Sequence, residues 1–206
     1  ADRDAELAMH PLHAGIAAVV SCPTDEREAR QLRATYWGNM TEVDDQLGRL
    51  FEHLAANGGL DDTLIVLTAD HGDQVGDHWL VEKAGWWDES YHVPLIVVDP
   101  RPEADATRGT VVDHFTESVD VMPTLCRWIG AEIPLTVDGR ELQPFVHGDE
   151  IPHDWRTEAH WQWDFSDPEK HVAEDLLGLT MEECAMDIVR GADHKYVHFA
   201  SGDSLY

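Results

Sequence analysis

The stretch that most constrains this chain runs from Thr63 to Pro94, TLIVLTADHGDQVGDHWLVEKAGWWDESYHVP. Four consecutive apolar residues, Leu64-Ile65-Val66-Leu67, lead through Thr68-Ala69 into Asp70-His71-Gly72. A continuous apolar run, rather than an alternating one, predicts a strand covered on both faces. Open α/β sheets gather ligands beyond the carboxyl ends of their strands. Asp70 and His71 would point to opposite faces of a regular strand, but where the backbone turns they can converge on one metal ion. A solvent-facing Asp-His-Gly turn accounts for the same residues. A second pair, Asp77-His78, follows, and then Lys83. An imidazole oriented by a carboxylate is a common catalytic arrangement; a polar loop is the plainer alternative. Lys83 can present a cation to an anionic substrate oxygen or simply be solvated. His92 precedes Val93-Pro94, where a second strand, PLIVV, begins.

The flanks support an α/β class. Thr24 or Asp25 can cap a helix over Asp25–Asn57, in which Leu32, Tyr36, Met40, Val43, Leu47, Leu50, Phe51 and Leu54 recur at helical spacing. Asn57-Gly58-Gly59 stops it. Thr110–Phe115 reads as a short third strand and Glu117–Ile129 as a second helix, with Pro123 near its start, where proline is tolerated. Residues 1–24 are poorly patterned. Beyond residue 153 the composition changes: TEAHWQWDF alternates, and Cys184–Val189 and Tyr196–Phe199 flank Gly191-Ala192-Asp193-His194 as an antiparallel hairpin would. The expected architecture is an α/β core followed by a small antiparallel sheet.

Forty-one acidic residues against fourteen Lys and Arg give a net charge of −27. Such a field argues against nucleic acid and anionic membranes as partners. It leaves room for a small anionic substrate where a bound cation dominates the local field. No apolar run approaches the ~18 residues of a membrane span, and the charged start ADRDAELAMHPLH has no signal-peptide h-region. Cys22, Cys126 and Cys184 are widely spaced, without a CxxC pair. They argue against a disulfide framework or a zinc knuckle and fit a reducing, cytoplasmic compartment.

The motif Asp70-His71-Gly72-Asp73, then Gly76-Asp77-His78, Lys83, Glu89-Ser90 and Val93-Pro94-Leu95, resembles the second metal-binding segment of the sulfatases and phosphonate monoester hydrolases of the alkaline phosphatase superfamily. The likeness extends to LRATYWGNMTEVDDQLGRLFEHL before it and to HFTESVDVMPTLCRWIGAEIPLTVDGRELQPFVHG, DWRTEAHWQWDF and DHKYVHFA after it, nearly the whole chain. The resemblance implies a partial alkaline-phosphatase-like sheet core with helices on both faces over residues 1–150. The start of a small antiparallel C-terminal subdomain would occupy residues 151–206. It implies Asp70 and His71 as ligands of one divalent metal ion, Ca or Mn. Lys83 would contact the oxygens of an anionic phosphonate, phosphate or sulfate ester, and His78 would line the catalytic site. The complete enzyme would be a homo-oligomer.

Two substitutions depart from the family's pattern: Glu82 stands where Gly is frequent, and His92 where Arg is common. The larger departure concerns the nucleophile, a formylglycine made from Cys or Ser in a Cys/Ser-X-Pro-X-Arg motif. Here Cys22 is followed directly by Pro23, and Arg27 lies too far along, so no nucleophile is expected in this chain. The chain is expected to be an interior-to-C-terminal segment of a longer enzyme, inactive by itself. A non-catalytic module binding a metal or a partner is the alternative. A two-metal phosphatase or phosphomutase would need further ligands, for which His10, His13 and His114 are the candidates.

Overall fold

The computed structural model describes residues 2–205. In chain order its elements are α1 (Arg3–Leu7), α2 (Pro11–Val20), α3 (Glu26–Ala56), β1 (Ile65–Thr68), α4 (Asp88–Tyr91), β2 (Leu95–Val98), α5 (Val121–Trp128), α6 (Gln143–His147), β3 (Glu158–Asp164), α7 (Val172–Leu177), β4 (Ala185–Gly191), β5 (Lys195–Phe199) and β6 (Ser204–Leu205). The long helix starts where its cap predicts: the Asp25 carboxylate accepts the amides of Arg27 and Glu28, both at 3.0 Å.

The sheets are smaller than expected. β1 and β2 form an antiparallel pair, with Ile65 opposite Val98 and Thr68 opposite Leu95. β2 is not covered on both faces: Ile96 is 53% and Val98 41% exposed, while Ile65, Val66 and Leu67 of β1 are half-buried. The expectation of a sheet core with helices on both faces is therefore corrected for this chain to a two-stranded ribbon. The expected strand at Thr110–Phe115 is irregular backbone, which leaves its Val111 and Val112 exposed. At the other end the hairpin is part of a four-stranded antiparallel sheet in the order β3-β4-β5-β6, with Trp161 opposite Ile188 and Ile188 opposite Val197.

The poorly patterned start folds into two helices. His10 caps α2, its Nδ1 accepting the Leu12 amide at 3.1 Å, and Pro11 occupies the first turn, where no amide is needed. Leu12, Ile16 and Ala17 of α2 then pack with Leu80 and Trp86 of the central loop and with Met186, Ile188, Val197 and Phe199 of the C-terminal sheet. This core joins segments on both sides of residue 150. Each such apolar side chain stabilises the fold by roughly 1.5–3 kcal/mol when fully buried. The core thereby seats the 72–92 loop, which carries His78 and Lys83, between α2 and the sheet.

Candidate active site

β1 ends at Thr68, and the chain turns at Asp70 and His71. The turn brings the two side chains together: His71 Nε2 lies 3.5 Å from Asp70 Oδ2. Asp70 Oδ1 accepts the His71 amide at 3.0 Å. His71 Nδ1 lies 2.8 Å from the Gly72 carbonyl oxygen. A carbonyl only accepts, so Nδ1 carries the proton, and in the neutral ring the lone pair sits on Nε2. A histidine that ligates a metal through Nε2 needs that tautomer. The donor set, one carboxylate and one imidazole with its second nitrogen tied to a backbone carbonyl, fits two ligands of a divalent cation. Among the described residues no group of three or more His, Cys, Asp or Glu side chains could hold a metal. His10 is instead stacked on Phe199 and His114 lies against Phe145, so nothing described supplies a second metal's ligands.

Behind the turn, the loop is tightly bonded. Gln74 is buried and its amide Nε2 donates to Ser90 Oγ at 2.8 Å; the Ala84 amide donates to the same hydroxyl at 3.2 Å. Gly72 donates its amide to the Ser90 carbonyl at 2.8 Å. Asp73, part of the sequence motif but without a role assigned there, has one oxygen that accepts two amides, Val75 at 2.8 Å and Glu82 at 3.1 Å. These bonds hold an unusual backbone. Val75, His78, Trp79 and Glu82 have φ of 46°, 53°, 62° and 61°. Each left-handed, non-glycine residue costs roughly 1–2 kcal/mol, and such strain collects at ligand clamps and active sites. A glycine at position 82 would adopt this conformation freely.

His78 has both ring nitrogens engaged: Nδ1 lies 2.6 Å from Glu6 Oε1 and Nε2 3.2 Å from Glu89 Oε2. Its ring stacks on Trp87 at 3.6 Å and 5°. Lys83, one residue beyond the strained segment, is exposed and makes no ion pair or hydrogen bond among the described residues. Cys22 is buried against this loop, its amide donating to the Trp79 carbonyl at 2.9 Å, and burial pushes its thiol up, the opposite of nucleophile activation.

Asp70 also borders a cleft of about 720 Å3 between the β1–β2 ribbon and the C-terminal sheet, lined by Tyr91, His92, His114, Trp161 and Arg190 among others. His71, His78 and Lys83 are not on its lining. Tyr91 stacks on Trp161 at 5.0 Å, and burial pushes its phenol up to about 12. Asp88 pairs with Lys195 and, at 3.2 Å, with Arg190. Burial alone would raise the Asp88 carboxyl, but these two cations hold it below the usual range. Since α4 opens at Asp88, the pair fastens the site loop to β4 and β5.

The sulfatase family model matches residues 8–131, and the model described as N-sulphoglucosamine sulphohydrolase, C-terminal, matches residues 76–199. The multifunctional alkaline phosphatase superfamily protein PehA of Trinickia caryophylli is 41% identical over 98% of this chain and 41% of its own length. An arylsulfatase of Clostridium perfringens is 31% identical over 71% of the chain and 30% of its own length. Among solved structures, the phosphonate monoester hydrolase of Agrobacterium radiobacter superposes with a TM-score of 0.92 at 38% identity, covering 100% of this chain and 42% of that one. The phosphonate monoester hydrolase of Silicibacter pomeroyi gives 0.89 at 38% identity, over 98% of this chain and 41% of that one. The chain thus spans about two fifths of the length of the hydrolases it superposes on.

Proposed function

The chain belongs to the sulfatase/phosphonate monoester hydrolase family of the alkaline phosphatase superfamily, and on that premise we propose that it forms the half of a metal-dependent ester hydrolase that holds the metal and the substrate. The substrate class is an anionic phosphonate, phosphate or sulfate ester. The observation that carries the reading is the pairing of Asp70 and His71, with Nδ1 of His71 committed to the Gly72 carbonyl. A divalent cation such as Ca or Mn, when bound, supplies Lewis-acid polarisation of the ester oxygen. The chain's own residues hold that ion through the Asp70 carboxylate and His71 Nε2. The Lys83 ammonium, unpaired among the described residues, meets the substrate's charged oxygens and stabilises charge developing on the leaving oxygen. The attacking formylglycine belongs to a part of the enzyme outside these residues.

The test is a calorimetric titration of the chain with Mn, together with paired aryl sulfate and phosphonate ester assays. The expected result is weak binding, lost in Asp70→Ala and in His71→Ala, without turnover. Binding indifferent to both substitutions would overturn the ligand assignment. Ester hydrolysis by the chain alone, lost in Asp70→Ala, would overturn the half-site reading.

A further inference from the structure

We propose that His78, held between Glu6 and Glu89, is the positioning residue of the candidate site: it keeps the 75–82 backbone in its strained form and, through Glu89, braces the turn that carries Asp70 and His71. The inference rests on the assignment of those two residues as ligands.

Three observations carry it. First, four of the five non-glycine residues with positive φ among the described residues fall between Val75 and Glu82. A segment in which a β-branched residue and three others take left-handed conformations relaxes unless its surroundings hold it. Second, His78 is the side chain through which this segment reaches outward in two directions. Glu6, 72 residues earlier, comes from α1, with its side chain 12% exposed; Glu89 comes from α4, with its carboxylate 3.2 Å from the ring. Glu89 is also the residue whose carbonyl packs against Gly72, leaving no room there for a Cβ. The next residue, Ser90, receives the Gly72 amide. Force on the ring is therefore passed in two short steps to the ligand turn. Third, α2 joins the same loop through its backbone: Val81 donates to Val20 at 2.8 Å and Cys22 to Trp79 at 2.9 Å. The two N-terminal helices and the site loop form one braced unit.

Contact with substrate is the less suitable role for this ring. Both ring nitrogens of His78 are taken up by carboxylates, Glu6 on one side and Glu89 on the other. Neither nitrogen is free for a metal, a base reaction or a leaving group. The ring lies flat on Trp87. Beneath Trp87 lies His13, fully buried with both nitrogens unpartnered and its ring 5.5 Å from the indole. Removing either glutamate leaves the His78 ring half-bonded.

The experiment uses the full chain, with Glu6→Ala, Glu6→Gln and Glu89→Ala. Two quantities are read: hydrogen exchange at the amides of Gly72, Gln74 and Gly76, and Mn affinity by calorimetry. Glu6→Ala is expected to speed exchange at these amides at least tenfold and to weaken Mn at least tenfold, with β4 amides unchanged. Glu6→Gln, which keeps an acceptor for Nδ1–H, is expected to restore most of both, a rescue that general destabilisation would not give. Wild-type exchange and affinity in Glu6→Ala would overturn the proposal, and so would faster exchange with unchanged affinity. If Glu6→Ala does not fold, Glu89→Ala gives the same two readings from the other side of the ring. Mn binding indifferent to Asp70→Ala in the unsubstituted clamp would mean that the ligand assignment has failed; the exchange rates alone then decide whether the clamp holds the loop.

Discussion

The amide of Gly72 donates to the carbonyl of Ser90 at 2.8 Å, so the turn that presents the candidate ligands is fastened to the far end of its own loop. The approach is close enough that a Cβ on Gly72 would overlap the Glu89 carbonyl. Gly72→Ala must therefore push the turn away from α4. The expected cost is roughly 1–3 kcal/mol in chemical denaturation, as for other overpacked sites, with Mn binding reduced at least tenfold. A variant with wild-type stability and affinity would show that the turn has slack.

What the sequence made legible is what local chemistry determines. The span of α3 follows from the Asp25 cap, the apolar recurrence and the Asn57-Gly58-Gly59 stop. The β4–β5 hairpin follows from two β-rich runs around Gly191–His194. Asp70 and His71 stood out as a pair at a strand end, and the structure brings them to 3.5 Å. The parts that were not legible depend on partners far away. Residues 1–24 showed no pattern because α2 draws its core contacts from Phe199 and Met186, at the other end of the chain. Glu6 carried no signal because its partner lies 72 residues on. The PLIVV run misled in the opposite sense: its apolar content suggested a buried strand, yet its Ile96 and Val98 are exposed.

Asp120 is a buried charge outside the loop. It is fully buried, paired with Arg156 and accepts the amides of Glu117 at 2.8 Å and Arg140 at 2.7 Å. It ties the start of α5 to the 140 loop and to the approach to β3. Removing one member of a buried pair costs about 3–5 kcal/mol, because the other charge stays behind. Asp120→Ala is expected to lose stability on this scale in urea denaturation, and Asp120→Asn, which keeps an acceptor, less. A loss within experimental error of wild type for Asp120→Ala would refute the role.

Two groups give stability opposite pH limbs. The folded pKa of Asp88 lies below its ordinary 3.8 because Lys195 and Arg190 outweigh burial. Its contribution is whole above pH 3.8 and drains away as pH falls through the lower, folded value. In a series of denaturation curves, Asp88→Asn should be less stable than wild type at neutral pH, with the gap closing in acid. Tyr91 acts at the other end: its phenol ionises near 10 in the unfolded chain and at about 12 in the folded one. Stability therefore falls as pH climbs between these values. Tyr91→Phe should flatten this alkaline limb, and an ultraviolet phenolate titration should lose a late-titrating phase in the same variant.

The long helix α3 has no buried residue among those described, although Trp37, Met40, Val43 and Leu50 are 65%, 46%, 52% and 50% exposed along it. Helices in proteins draw most of their stability from a packed face, and here that face has little to pack on. One link to the site remains: Arg33 Nε donates to the Val75 carbonyl at 3.0 Å, at the start of the strained segment. Two outcomes follow from this arrangement. Amides over the middle and C-terminal part of α3 should exchange far faster than those of β4, whose Met186 and Ile188 are buried. Met40→Gln and Val43→Gln should change the stability of this chain by no more than about 0.5 kcal/mol, the scale of surface substitutions. Arg33→Ala, by contrast, should speed exchange at the Gly76 amide. Strong protection along α3, or a cost of several times that scale for Met40→Gln, would mean that its apolar stripe is packed.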